Sequence, residues 1–291
     1  CIDDKWLTIE ECRSYLQKTA PFESTSDSEI VLHLLARTHN DTLPHRIVKT
    51  LELIKGAYSL LFLTEDGYLI ATRDPWGIRP LWWGKTDNAF YFSSEDYNMR
   101  LLGITPIREV ERGEVIVISP QLEVSSFHLP KQCSAFCSFE FVYFAFPASS
   151  FSEKSVRGIR TRLGKELAKE VFYKNKLPEL DCLTHVPDSG YVSASGFYEY
   201  LFERGKRIPL VSGLFRNHYS GRSFITAGQE NRRKVIDFKF IIDPSAYRRK
   251  RVGIIDDSIV RSTTIQILIE KLFREGGAHE VHVFVPCPRI I

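Results

Sequence analysis

Apolar residues recur at helical spacing over 8–18 and again over 27–38, and the second stretch opens with Ser26-Asp27-Ser28-Glu29, an S-x-x-E pattern that predicts a capping box. From Ala57 the period shortens to that of strands. The runs AYSLLFL, YLIATR, PLWWG, AFYFS and EVIVIS are separated by Asp66-Gly67, by Asp74-Pro75-Trp76-Gly77 and by Asp87-Asn88, the turn chemistry of an antiparallel meander. A connecting stretch is expected after Pro120. Beyond it the pattern alternates between long helix and short apolar strand: a helix over 155–173, CLTHV at 182–186, a helix over 192–204, IPLVS at 208–212, RVGII at 251–255, a helix over 263–274 and VHVFV at 281–285. That alternation predicts a doubly wound parallel sheet, whose ligands lie outside the carboxyl ends of the strands. The expectation is two domains, 1–130 and 131–291.

Composition narrows the classes. Hydrophobic residues make up 43% and charged residues 26% of the 291, a globular balance that excludes a disordered or collagenous chain. The net charge of +3 argues against non-specific nucleic-acid coating, and no helix-turn-helix is visible, so no nucleic-acid partner is expected. The charge is unevenly placed. Between Arg204 and Arg251 stand thirteen basic and three acidic side chains, a balance of +10 against −7 for the rest, so one region is suited to anions. Six scattered cysteines without a repeated C-x-x-C pair fit a reducing compartment, and the cytoplasm is the expected location. The longest apolar run, 139–147, is too short to span a bilayer, and no membrane association is expected. Neither G-x-x-x-x-G-K-[ST] nor G-x-G-x-x-G occurs.

The chemistry concentrates where the strand at 251–255 ends. Asp256 and Asp257 follow it, then Ser258, Ile259, Val260 and Arg261, then Ser262, Thr263 and Thr264 at the head of a helix. Hydroxyls and free N–H groups at a helix N-terminus suit a phosphate monoester, and paired carboxylates at a strand end suit vicinal hydroxyls or a divalent cation. Together these describe a phosphoribosyl group. Val186-Pro187-Asp188-Ser189-Gly190, after the strand at 182–186, could join a Mg²⁺–diphosphate site, and Arg216 and Arg222 flank a Gly221 hinge as a clamp for diphosphate. Each piece taken alone has a plainer reading: a helix cap, a solvated Asp pair, a turn, a basic loop.

Taken together, CSFEFVYFAFPASS (137–150), VPDSG (186–190), RNHYSGRSFI (216–225) and GIIDDSIVRSTT (253–264) resemble the amidophosphoribosyltransferase family in order and spacing. SDSE (26–29), GAYSLLFL (56–63), RDPWGIRPL (73–81), SSE (93–95) and RGEVIVIS (112–119) resemble its glutaminase domain. The resemblance implies the C-terminal half of a class II glutamine amidotransferase domain, an N-terminal-nucleophile hydrolase fold, followed by a type I phosphoribosyltransferase domain. It implies transfer of ammonia from glutamine to phosphoribosyl diphosphate (PRPP), giving 5-phosphoribosylamine, glutamate and diphosphate in purine synthesis. It also implies Mg²⁺ at Ser189, Asp256 and Asp257, PRPP along 256–264, glutamine at Asp27 and a homo-oligomer. The alternative is a non-catalytic PRPP-binding sensor.

The chain also departs from that pattern. Cys1 precedes Ile-Asp-Asp-Lys rather than the Gly-Ile or Gly-Val run of the family nucleophile, and it aligns inside the glutaminase domain, so it is not expected to be the nucleophile. On this alignment both domains are incomplete. Asp4 and Lys5 fall where the family has the Asn and Gly of its oxyanion hole, and a carboxylate there opposes a developing oxyanion. An inactive glutaminase half is expected, with ammonia from solution or a partner. Phe146, Ala148, His218 and Ser262 replace family residues, and Ser262 stands where Gly is usual. Cys137 matches one iron–sulfur ligand of a subgroup, but the other ligand positions lie past Ile291, and no cluster is expected.

Overall fold

The computed structural model describes residues 8–18, 20–39, 42–217, 239–260 and 262–288, and these fall into two compact units. Described residues up to Ser138, with Ser150–Ser152, form the first; Phe139–Ser149 and those from Glu153 onward form the second.

In chain order the first unit holds α1 (Ile9–Leu16), α2 (Asp27–Arg37), α3 (Leu43–Glu52), β1 (Ser59–Leu63), β2 (Leu69–Arg73), β3 (Trp82–Lys85), β4 (Phe90–Ser93), α4 (Asp96–Leu101), β5 (Thr105–Glu109), β6 (Glu114–Ile118) and β7 (Val124–His128). Thr8 heads α1 in a full capping box: its hydroxyl accepts the Glu11 N–H, and the Glu11 carboxylate accepts the Thr8 N–H at 2.7 Å. The box expected at 26–29 is instead a simple cap. Ser26 accepts the Ser28 N–H at 3.4 Å, while Glu29 takes the Glu23 and Ser24 N–H groups at 2.7 and 2.8 Å and the Ser24 hydroxyl at 2.6 Å. Three donors in the preceding turn outcompete the single N–H of Ser26. The Ser24 hydroxyl and these N–H groups hold Glu29 down to about 2.

The expected meander is two sheets, ordered β1-β2-β6-β7 and β4-β3-β5, and the stretch after Pro120 carries strand β7. The reason is visible in β6, buried at all five positions. Val115 and Val117 pack with Ile70 against Leu16, Ile30 and Leu51 of the helices, while Ile116 and Ile118 pack with Ala71 against Leu81, Val110 and Trp83. A sheet with two apolar faces needs a layer on each.

The second unit opens with a π-helical turn, Glu140–Phe144, followed by α5 (Val156–Tyr173), β8 (Cys182–His185), α6 (Tyr191–Glu203), β9 (Leu214–Arg216), β10 (Phe240–Ile242), α7 (Pro244–Tyr247), β11 (Arg251–Ile255), α8 (Thr263–Arg274) and β12 (Glu280–Phe284). β8, β11 and β12 form a parallel sheet in that order, with Thr184 beside Ile254 and Ile254 beside Val283. The strand expected at 208–212 is reduced to a parallel bridge of Leu210 with Leu183, held by two backbone hydrogen bonds of 2.8 Å. Phe197 and Leu201 of α6 and Ala168 of α5 cover one sheet face; Leu268 and Leu272 of α8 and Tyr247 cover the other. Helices on both faces of a parallel sheet make this a doubly wound α/β unit. The strand ends that matter adjoin, since the Val186 N–H donates to the Ile255 carbonyl at 2.9 Å. Among the described residues no helix is long and apolar enough to cross a membrane, and the five described cysteines are free thiols.

Candidate functional site

The parallel sheet brings together the loops that leave β8 and β11. Asp256 and Asp257 turn inward at the end of β11, 7% and 3% exposed. The backbone is fixed by the Asp256 N–H to the Phe284 carbonyl at 3.1 Å and by the Asp257 N–H to Asp256 Oδ1 at 2.9 Å. Burial, and then the neighbouring Asp257 charge, push the Asp256 carboxyl up to about 7, against the pull of the Asp257 N–H and of Lys239. Burial also raises Asp257, opposed by the Ser189 and Ser258 hydroxyls and the Arg160 guanidinium. Ser258 donates to Asp257 Oδ1, but Oδ2 is buried and accepts no hydrogen bond.

A buried acceptor without a donor is costly unless something else fills it. That oxygen fits Mg²⁺, because the ion takes one or two carboxylates and draws its remaining ligands from water and substrate phosphate. Among the described residues no three His, Cys, Asp or Glu side chains converge. Ser189, from the other loop, is the hydroxyl beside Asp257. Its neighbour Gly190 is required by the close approach of the strands: a Cβ there would stand 2.5 Å from the Ile255 carbonyl oxygen.

On the opposite side Arg216, the last residue of β9, pairs with Asp188 at 2.9 Å, Nη1 to Oδ2. Beside the pair lies an open cleft of about 360 Å³, lined among others by His185, Tyr191, Ser212 and Phe215. Burial keeps the His185 imidazole below its ordinary range. The structure adds one residue that sequence reasoning missed. Lys239 sits at the foot of β10, where its carbonyl accepts the Asn217 N–H at 2.7 Å. Its ammonium is lowered by burial and by Arg216, and raised by Asp188 and Asp256, so it stands among the charges of both loops. The available signal was its place directly before the strand FII, whose antiparallel pairing with β9 sets it opposite the end of that strand.

Ser262 adopts the left-handed conformation, φ 53°, as the N-cap of α8. The position thus needs the positive φ that favours Gly, and here it carries a Cβ. Thr263 and Thr264 begin the helix; Ser258 is half-buried, and Ile259 and Val260 are exposed. Arg222, His218 and Arg261 lie outside the described residues, as do Cys1, Asp4 and Lys5. In the first unit Asp27 is the first residue of α2, exposed, with Arg13 Nη2 at 3.7 Å. Arg13 also holds the preceding turn through the Ser24, Thr25 and Ser26 carbonyls.

The second unit thus has the architecture of a type I phosphoribosyltransferase, with paired acids and a hydroxyl-rich helix start at the sheet's carboxyl edge, and residues 8–100 match the family model described as "Glutamine amidotransferase domain". The chain is related, over nearly all of its own length, to the amidophosphoribosyltransferases. It is 41% identical over 275 residues to "Amidophosphoribosyltransferase, chloroplastic" of Glycine max, covering 93% of this chain and 46% of that protein. It is 39% identical over 303 residues to the amidophosphoribosyltransferase of Methanocaldococcus jannaschii, covering 98% and 62%. The solved glutamine PRPP amidotransferase of B. subtilis, complexed with ADP and GMP, superimposes with a TM-score of 0.82 at 35% identity, over 97% of this chain and 59% of that one. The chain spans about half the length of the curated relatives it matches. The fold expected from the sequence, a glutamine amidotransferase region followed by a phosphoribosyltransferase sheet, agrees with these likenesses.

Proposed function

We propose that the chain is a glycosyltransferase of the amidophosphoribosyltransferase type, replacing the diphosphate of PRPP with ammonia to give 5-phosphoribosylamine for purine synthesis. The observation that carries this reading is the buried Asp257 Oδ2 without a donor, beside Asp256 and Ser189, at the carboxyl edge of a parallel sheet. Ser189, Asp256 and Asp257 would hold Mg²⁺, which when bound neutralises charge on the departing diphosphate. Residues 256–264 receive the ribose and 5-phosphate, with α8 offering its first N–H groups and the Thr263 and Thr264 hydroxyls. Arg216, Lys239 and Arg222 draw the diphosphate away from the anomeric carbon, where positive charge develops and carboxylates are favourable neighbours.

In the first unit Asp27 binds glutamine, but the glutaminase half is inactive, because Asp4 and Lys5 stand where the family has the Asn and Gly of its oxyanion hole. Ammonia then comes from solution or a partner. The free thiols fit a reducing compartment, and the protein works in the cytoplasm as a homo-oligomer. A second reading, a PRPP sensor without turnover, draws only on Ser262, which carries a Cβ at a left-handed position where the family has Gly. Diphosphate release, measured with Mg²⁺ and PRPP, separates the two. Release with ammonium, and none with glutamine above a Cys1→Ala control, is expected. Glutamine-driven release above that control would show a live glutaminase, and PRPP binding without release in ammonium would favour the sensor.

A further inference from the structure

β9 and β10 form a ladder of two short strands, and a two-stranded ribbon has little stability of its own. Its root is held from below. Tyr247, the last residue of α7, is fully buried, and its hydroxyl lies 2.8 Å from Thr184 Oγ1 of β8 and accepts the Gly213 N–H at 3.1 Å. Thr184 Oγ1 in turn donates to the Val211 carbonyl at 3.1 Å. One proton arrangement satisfies the whole chain: Gly213 N–H to Tyr247, Tyr247 O–H to Thr184, Thr184 O–H to Val211. Gly213 must be glycine for this approach, since a Cβ would stand 2.3 Å from Ala246 Cβ and 2.9 Å from the Tyr247 ring. The Gly213 carbonyl accepts the Asp243 N–H at 2.8 Å, so both arms of the ladder start from this point.

We propose that Tyr247 is a positioning residue for diphosphate: by tying Gly213 to the central strand β8 it sets where Arg216 and Lys239 stand relative to Ser189. The inference rests on the functional reading above and deepens it. Arg216 is three residues from Gly213, about 10 Å along a strand, and β9 registers it against Phe240, next to Lys239. An error at the root is carried to both cations. The 256–264 loop hangs on β11 and does not pass through Tyr247's hydroxyl. Burial pushes that phenol up to about 12, so the hydroxyl stays a donor at neutral pH.

Tyr247→Phe keeps the ring and removes the bond; Thr184→Val removes the other end of the same chain. Both variants and the wild type are titrated with inorganic diphosphate plus Mg²⁺ and, separately, with ribose 5-phosphate, while amide hydrogen exchange follows Gly213 and β11. In both variants diphosphate affinity falls about 5- to 20-fold and ribose 5-phosphate affinity changes less than about twofold. Exchange at the Gly213 amide quickens about tenfold, with β11 unchanged. Equal losses for the two ligands, or an unaltered diphosphate affinity, would overturn the proposal. If the wild type binds neither ligand, the functional reading fails, and unchanged exchange at Gly213 then rejects the anchor as well.

Discussion

At the end of β2 the Asp74 carboxylate is completely buried and accepts the Trp76 N–H at 3.0 Å, the Ile78 N–H at 3.1 Å and the Tyr58 N–H at 3.4 Å. At the end of β11 the Asp257 carboxylate is buried almost as deeply, yet one of its oxygens accepts nothing. The two turns look alike in sequence, an acid directly after or at the end of an apolar strand. What separates them is whether the lone pairs are filled. Asp74 organises its own turn, and its neighbour Arg73 does the same for carbonyls, donating to Arg79 at 2.8 Å and to Gly77 and Val110 at 3.0 Å. RDPWGIRPL is therefore a folding device. The turn after β11 keeps an acceptor in reserve, which is what a cation or a ribose hydroxyl requires.

That contrast breaks most sharply by alanine substitution. Asp74→Ala strands several buried N–H groups and is expected to cost about 3 kcal/mol in urea unfolding of the first unit, whereas Asp257→Ala changes stability by less than about 1 kcal/mol. Comparable losses at both positions would erase the distinction. Asp256 gives the next largest effect. Its folded pKa of about 7 lies above the ordinary 3.8, so its contribution to stability is whole at low pH and is lost as pH rises through 7. Metal-free Asp256→Asn should match the wild type near pH 4 and exceed it by about 1–2 kcal/mol near pH 8. A gain confined to acid pH would contradict the assigned direction. The smallest effect belongs to Ser262→Gly, which relieves a left-handed residue and should stabilise by about 0.5–1 kcal/mol, read as a rise in melting temperature.

Much of the second unit was legible. The helix at 263–274 begins and ends where its apolar spacing and hydroxyl head place it, and β8, β11 and β12 each lie within a residue or so of their apolar runs. Parallel strands buried on both faces announce themselves as continuous apolar stretches. β5 and β7 gave no such signal: TPIRE carries a proline and two charges, VSSFH is mostly exposed, and both are strands because their partners β3 and β6 supply the ladder. The division into two sheets is likewise a matter of long-range packing. In the site, the acids and hydroxyls showed in the sequence because they are contiguous. Lys239 did not, since its place beside Arg216, Asp188 and Asp256 is made by antiparallel pairing of β9 with β10 rather than by neighbours in the chain. The left-handed backbone of Ser262 could be suspected only from the residue it replaces, and the Tyr247–Thr184–Gly213 chain joins three segments that no local pattern connects.

The open oxygen of Asp257 is tested most directly by calorimetric titration of Mg²⁺ and PRPP into the wild-type chain and into Asp257→Ala. Saturable binding in the wild type that weakens at least about 100-fold in Asp257→Ala is the predicted result, as expected when a metal-bridged phosphate ligand loses its carboxylate. Indistinguishable isotherms for the two proteins would contradict it.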